Sequence, residues 1–335
     1  MDSRPAMTLR DDEVKADFAS LEAAAQWYAT LYAEGSTGAE RSAWEQWLAQ
    51  CPEHRQAWRH IEAVSARFVP LRGDGVREAA AAAVGAATSK DLERRLVLRG
   101  LAALAGVGLC AWLGWRYSPL PGLVTACRSD FSTGIGERRD LKLADGTRVW
   151  LNTRSALDVA YDTSQRLLTL AMGEILIDTA KDDLRRPFFV RTDFGSMQAL
   201  GTRFNVRQTS THTLLAVFEG SVRIRNAAGE MQLVAAGQQR QFTATAITPT
   251  MPAEPMREAW TRGVVLADNI PLGVLVEELG RYRQGHLGVA PEVAELKVVG
   301  RFPIDDPDHA LAMLERNLPV RVRHTLPWWT SIEPR

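Results

Sequence analysis

The chain has 335 residues, 46% hydrophobic and 24% charged, and its 40 Lys and Arg balance 40 Asp and Glu. This length suits two or three domains and this mixture suits globular cores. Zero net charge excludes the global basic field of a nucleic-acid binder, and three cysteines with no CxxC pair or Cys/His cluster give no zinc spacing.

Residues 1–70 read as a small helical domain, and with 7 Lys/Arg against 11 Asp/Glu it is acidic. Leu21, Ala24, Ala25, Tyr28, Leu31 and Tyr32 fall at helical spacing over 17–32, and Gly35 stops that helix. Thr37-Gly-Ala-Glu40 is a capping box for a second helix with Trp44, Trp47 and Leu48 on one face. Cys51 and Pro52 start a third helix, striped by Ala57, Trp58, Ile61, Val64 and Phe68. Trp27, Trp44, Trp47 and Trp58 can make a core, yet so short a domain buries little apolar surface. A stripe wider than the interior is completed by a partner, for which Trp is a common anchor. A DNA-binding helix-turn-helix is disfavoured by the negative charge and by only Arg55, Arg59 and Arg67 on the third helix.

Residues 71–95, with Gly73, Gly75, Gly85 and an alanine run, read as a linker. Leu96–Trp115 then predicts a transmembrane helix, since twenty residues whose one charge is Arg99 make ~30 Å, one hydrocarbon thickness. Arg77, Lys90, Arg94 and Arg95 precede it and only Arg116 and Arg128 follow closely, which places the N-terminus in the cytoplasm and the C-terminus in the periplasm of a single-pass inner-membrane protein. Cys51, Cys110 and Cys127 would then lie in three different environments, unable to pair. Arg94-Arg95 also has the form of a twin-arginine export motif. Gly106 and Gly108 should make the span easy to unwind for an intramembrane protease. Val124-Thr125-Ala126-Cys127 fits a lipidation box but lies well beyond Trp115.

From about Glu137 the period becomes two. Residues 130–248 predict an all-β sandwich or β-roll, opening on a hairpin with Asp145-Gly146 as its tight turn. Strands follow over 157–161, 166–170, 174–179, 188–192, 204–207, 214–218, 221–225, 231–234 and 239–243. Met172-Gly173, Glu219-Gly220 and Asn226–Gly229 read as the turns between them. No catalytic triad, metal cluster or phosphate loop stands out, no cofactor is implied, and the acidic residues read as solvated. Pro249, Pro252 and Pro255 mark a linker, and residues 260–330 alternate strand and helix as a compact α+β module in which Asp306-Pro307 caps a helix.

Taken together, this layout resembles the FecR family of transmembrane anti-sigma regulators of TonB-dependent cell-surface signalling. The resemblance rests on Ala24-Ala-Gln-Trp27…Trp44-Glu-Gln-Trp47-Leu48…Ala57-Trp58 at the front. In the β-region it rests on Leu143-Ala-Asp-Gly-Thr-Arg-Val-Trp-Leu-Asn152, Leu200-Gly-Thr-Arg-Phe-Asn-Val206 and Val217-Phe-Glu-Gly-Ser-Val222. The C-terminal module is similar to the short N-terminal domain of secretins and TonB-dependent receptors. The resemblance implies that residues 1–70 bind an extracytoplasmic-function sigma factor through Trp27, Trp44, Trp47, Leu48 and Trp58. It also implies that the region from Glu137 receives the signalling domain of an outer-membrane receptor loaded with an iron siderophore. Regulated proteolysis by an intramembrane protease would then free the cytoplasmic domain, with the lipid bilayer and not nucleic acid as the surrounding partner. Some members are cut at a Gly-Thr bond in the Leu-Gly-Thr-Arg-Phe-Asn-Val context, which maps to Gly201–Thr202; Thr202 would attack the preceding carbonyl. A membrane-anchored periplasmic binding or scaffold protein is the rival reading, and a tethered hydrolase lacks its catalytic constellation.

Overall fold

A computed structural model describes residues 17–33, 36–65, 68 and 129–335. These fall into two compact units, one within 16–123 and the other within 124–335.

The first unit holds α1 (Phe18–Tyr32), α2 (Gly38–Gln50) and α3 (Pro52–Ser65). The capping box forms: Thr37 Oγ1 accepts from the Glu40 amide at 3.3 Å, and the Thr37 amide donates to Glu40 Oε2 at 2.7 Å. Ala24 and Ala25 of α1 and Ala57, Trp58, Ile61 and Val64 of α3 are the buried apolar residues. Small alanines let these two helices approach closely. Tyr32, expected inward, is exposed and stacks on Tyr28. Gly35, the expected helix stop, lies outside the described residues.

The expected fold class included a transmembrane helix, and here it is corrected. No helix among the described residues is long and apolar enough to cross a membrane. A span needs ~20 apolar residues, and α1 has 15. The stretch 96–115, with Leu96, Gly106, Gly108 and Trp115, lies outside the described residues, as do Arg94, Arg95, Cys110 and Cys127.

The second unit begins with thirteen strands: β1 (Phe131–Ser132), β2 (Arg139–Lys142), β3 (Arg148–Leu151), β4 (Ala156–Tyr161), β5 (Arg166–Asp178), β6 (Phe188–Thr192), β7 (Gly195–Ala199), β8 (Arg203–Gln208), β9 (Thr213–Glu219), β10 (Ser221–Asn226), β11 (Met231–Ala235), β12 (Gln238–Phe242) and β13 (Met251–Pro252). They make two sheets that share β5. One runs β1-β4-β5-β6-β7-β10-β11 and the other β2-β3-β5-β8-β9-β12-β13. Alternating inward residues, among them Leu151, Leu168, Ile175, Phe188, Phe204, Val217 and Ile224, fill the core.

Met172-Gly173, expected as a turn between two strands, instead lies inside the 13-residue β5. Residues 166–172 pair with β4, and residues 173–178 pair with β8. Gly173 has φ 90° and its Cα faces Ser155 so closely that an added Cβ would overlap it. The glycine bends one strand from the first sheet into the second.

A C-terminal module follows: α4 (Met256–Ala259), a 3-10 turn (Trp260–Arg262), β14 (Val264–Pro271), α5 (Leu272–Gly280), β15 (His286–Val289), α6 (Pro291–Ala294), β16 (Lys297–Pro303), α7 (Pro307–Asn317), β17 (Val320–Leu326) and β18 (Trp329–Pro334). β14 pairs with β16, and β18 lies between β15 and β17. Asp306 caps α7 by accepting from the His309 amide at 2.9 Å. Trp329 is fully buried and stacks on His286 at 3.8 Å.

Candidate functional site

Two of the three motif runs of the β-region converge on one buried carboxylate. Glu174 lies on β5 just past the bend and is 1% exposed, so it is not the solvated strand residue that the sequence suggests. Asn152, which ends the Asp145-Gly146 run, donates to Glu174 Oε2 at 2.8 Å. Asn205, in the Leu200–Val206 run, donates to Glu174 Oε1 at 3.1 Å. The C-terminal module completes the shell. Arg281 lies 2.6 Å from Glu174 Oε2, and Tyr282 OH accepts from Asn152 at 2.8 Å.

Glu278 of α5 extends this shell into a network. Its carboxylate meets Arg207 of β8, Arg257 of α4 at 2.9 Å and Arg281 at 2.8 Å. Arg257 also meets Glu254 at 2.9 Å. Burial alone would push the carboxyls of Glu174 and Glu278 up. The surrounding guanidiniums, Arg281 and Arg207 for Glu174 and Arg207, Arg281 and Arg257 for Glu278, outweigh it and hold both below the usual carboxylate range. Elsewhere along the same seam, Arg138 makes a fork on Asp305 at 2.7 and 2.9 Å and donates to the Trp260 carbonyl, and Arg203 lies 3.5 Å from Glu258. The arrangement joins the C-terminal module to the β-strands by ion pairs from distant parts of the chain.

The Gly201–Thr202 bond lies in the turn between β7 and β8. Gly201 takes φ 76°, a conformation open to glycine, with empty space where a Cβ would stand. Thr202 is 4% exposed, and its buried Oγ1 has no hydrogen-bond partner among the described residues. Thr179 brackets this residue: its Oγ1 accepts from the Thr202 amide at 2.7 Å and donates to the Thr202 carbonyl at 3.1 Å. Gly220, from the Val217–Val222 run, backs onto the Gly201 carbonyl oxygen so closely that a Cβ there would overlap it. The sequence singles out Gly201 and Thr202; the contributions of Thr179 and Gly220 depend on pairings that sequence spacing does not reveal.

In the helical unit the five predicted anchors divide. Trp58 is core, 7% exposed, with Trp44 against it at 4.9 Å between ring centres and Tyr28 at 6.0 Å. Trp27, Trp44, Trp47 and Leu48 are half-buried, and α2 has no buried residue along its length. The Trp44 indole Nε1 is buried, with no partner among the described residues. Trp47 stacks on His54 at 4.2 Å, while His54 Nδ1 lies 2.7 Å from the Trp47 carbonyl. Leu48, Arg55, Trp58 and Arg59 line an open groove of about 420 Å³. Among the described residues no group of His, Cys, Asp and Glu is placed to hold a metal ion.

Residues 129–223 match the family model described as FecR protein, and residues 22–64 match that of a domain of unknown function, DUF4880. Two crystal structures of a candidate anti-sigma factor from Parabacteroides distasonis overlap 61% of this chain and 98% of theirs, with 20% and 21% identity and TM-scores of 0.49. Among curated proteins, no sequence matches the chain. The β-strands that grip Glu174 and the helices that carry the tryptophans are thus each matched by a family model, and the chain carries a FecR-family domain behind an N-terminal DUF4880 domain.

Proposed function

We propose that this protein is an anti-sigma regulator whose helical unit binds a sigma factor of the extracytoplasmic-function class. The observation that carries the reading is α2, a helix that bears Trp44, Trp47 and Leu48 yet buries no residue within its own unit. A partner that covers this face would bury the aromatic rings and the open groove beside Arg55 and Arg59. In this reading the β-unit stands in the periplasm. It receives the signalling domain of a siderophore-loaded TonB-dependent receptor, and proteolysis then frees the helical unit. The FecR match over 129–223 supports it. The test is co-purification of the full chain with the extracytoplasmic-function sigma factors of the same cell, then repetition with Trp47→Ala and Leu48→Ala. A stable complex weakened by both substitutions is expected; full affinity in both folded variants, or no complex, overturns the reading.

A second reading concerns the Gly201–Thr202 bond. We infer a single self-cleavage there, favoured by the unpartnered Thr202 hydroxyl and the glycine-backed carbonyl before it. Thr202 Oγ attacks the Gly201 carbonyl carbon, its proton passes to the departing amine nitrogen, and the amide becomes an ester. Water then hydrolyses the ester, returning the hydroxyl and leaving a new carboxylate. Protein purified with proteases inhibited should run as two fragments in a denaturing gel. Thr202→Ala should run as one band and Thr202→Ser as two; a whole wild-type chain overturns the inference.

A further inference from the structure

The first sheet ends on β11, and among the described residues no strand pairs with its outer side. This strand reads Met-Gln-Leu-Val-Ala, without the charge, proline or bulge that usually blunts an edge. Two backbone bonds fix its register against β10: the Ala236 amide donates to Gly220 O and the Asn226 amide to Glu230 O. In the antiparallel alternation Gln232 and Val234 therefore turn their backbone groups toward β10, while Met231 and Leu233 turn theirs outward. The same two residues have exposed side chains, 60% and 53%. One pair of large apolar residues thus presents both its side chains and its unpaired backbone groups.

The outer face beside this edge is basic. Arg223 pairs with Leu233 in register and Arg225 with Met231, and Arg191 lies two strands further along the Arg225 row. All three arginines are exposed, and none makes an ion pair among the described residues. Arg223 donates to the Gln198 side chain at 3.2 Å. Two carboxylates near these arginines in sequence have other partners: Glu230 accepts from the Asn226 side chain at 3.4 Å, and Asp193 from Gln208 at 2.8 Å. An added strand beyond β11 would lie about 10 Å from β10, two strand spacings, within reach of paired Arg and Glu side chains. Its alternate residues would point the other way, toward the side on which Val234 is buried.

We propose that β11 is a docking edge for an extended segment of another protein whose acidic and apolar residues alternate. The carboxylates meet Arg223 and Arg225 over the methylenes of Met231 and Leu233, and the apolar residues continue the row of Val234. Strand addition supplies main-chain hydrogen bonds, and the alternating pattern supplies selectivity. A second copy of this chain fits less well, because edge-to-edge pairing brings two arginine rows to one junction.

The test uses the full chain and two short synthetic peptides, one alternating Glu and Leu, the other Lys and Leu. Amide exchange read by mass spectrometry should show new protection within β11, at the Met231 and Leu233 amides, with the Glu peptide, lost as salt rises; the Ala235 amide is already held by the Gln238 side chain at 3.1 Å. The Lys peptide should bind at least about tenfold more weakly. Arg223→Glu with Arg225→Glu should reverse that preference while leaving the melting temperature near wild type, and Leu233→Lys should weaken both. No protection by either peptide, or equal binding of both, overturns the proposal. So does a self-associating chain whose association, and not peptide binding, disappears in Leu233→Lys, because the occupant is then a second copy.

Discussion

Arg281 and Glu174 meet at 2.6 Å, although one follows a helix of the C-terminal module and the other lies in the middle of the strand shared by both sheets. Since Asn152 and Asn205 hold the same carboxylate, the pair ties three separate stretches to one point. A buried carboxylate is tolerable only with such partners, and its isolation is costly.

Arg281→Met should therefore destabilise the β-unit by about 3–5 kcal/mol, the usual cost of leaving a buried charge without its partner. Chemical denaturation measures this. The double variant Arg281→Met with Glu174→Gln should recover part of the loss, because the stranded charge is gone.

The same network sets a dependence on pH. Both carboxyls are held below their ordinary range in the folded protein, so they favour folding whenever they are ionised. This contribution is fully present above about pH 4.3, the unfolded value for Glu, and is lost as pH falls through the lower folded values. Melting temperature should be insensitive to these groups from neutral pH to about pH 5 and fall steeply below about pH 4. Glu278→Gln should flatten part of that acid slope and start from a lower plateau.

Gly201 and Gly220 should respond differently to alanine. Both have positive φ, 76° and 73°. Gly201→Ala meets open space and should cost only the backbone strain, about 1–2 kcal/mol. Gly220→Ala also overlaps the Gly201 carbonyl and comes within 2.8 Å of Thr202 Cγ2. It should destabilise more, and if the bond is self-cleaving it should alter the cleavage rate, read by gel densitometry over time.

The tryptophans should separate by role. Trp58→Ala removes a buried ring from between α1, α2 and α3 and should cost about 3–5 kcal/mol of stability, seen as lost helical circular dichroism. Trp47→Ala touches a half-buried ring stacked on His54 and should keep the helices folded while costing about 2 kcal/mol of sigma-factor affinity.

Much of the β-unit is legible from alternation: Phe188–Thr192, Thr213–Glu219 and Ser221–Asn226 are strands whose inward residues are branched or aromatic. The Thr37 box and the Asp306 cap are legible because their chemistry is local. Where reading stops, long-range pairing decides. Gly173 signals a turn in any short window, and only the partner strands make it a bend inside β5. β7 and β18 include polar stretches, Gly195-Ser196 and Thr330-Ser331, that hide a strand whose burial comes from its neighbours. Of the site, Gly201 and Thr202 stand out by resemblance. The Glu174 network could not, because Asn152, Asn205, Glu278 and Arg281 are scattered along the sequence and meet only once the sheets form.

The order of strands around residue 201 has one more consequence. β7, just before the turn, is hydrogen-bonded to β10 far downstream, whereas β8, just after it, is hydrogen-bonded to β5 upstream. The two sides are interleaved like fingers of clasped hands. Severing the backbone there would leave every ladder intact, and the pieces would migrate together in a native gel. A break at this position would instead free a new carboxylate and a new amine at adjoining strand ends, so that a pull on either fragment could peel the unit apart along a path closed to the uncut chain.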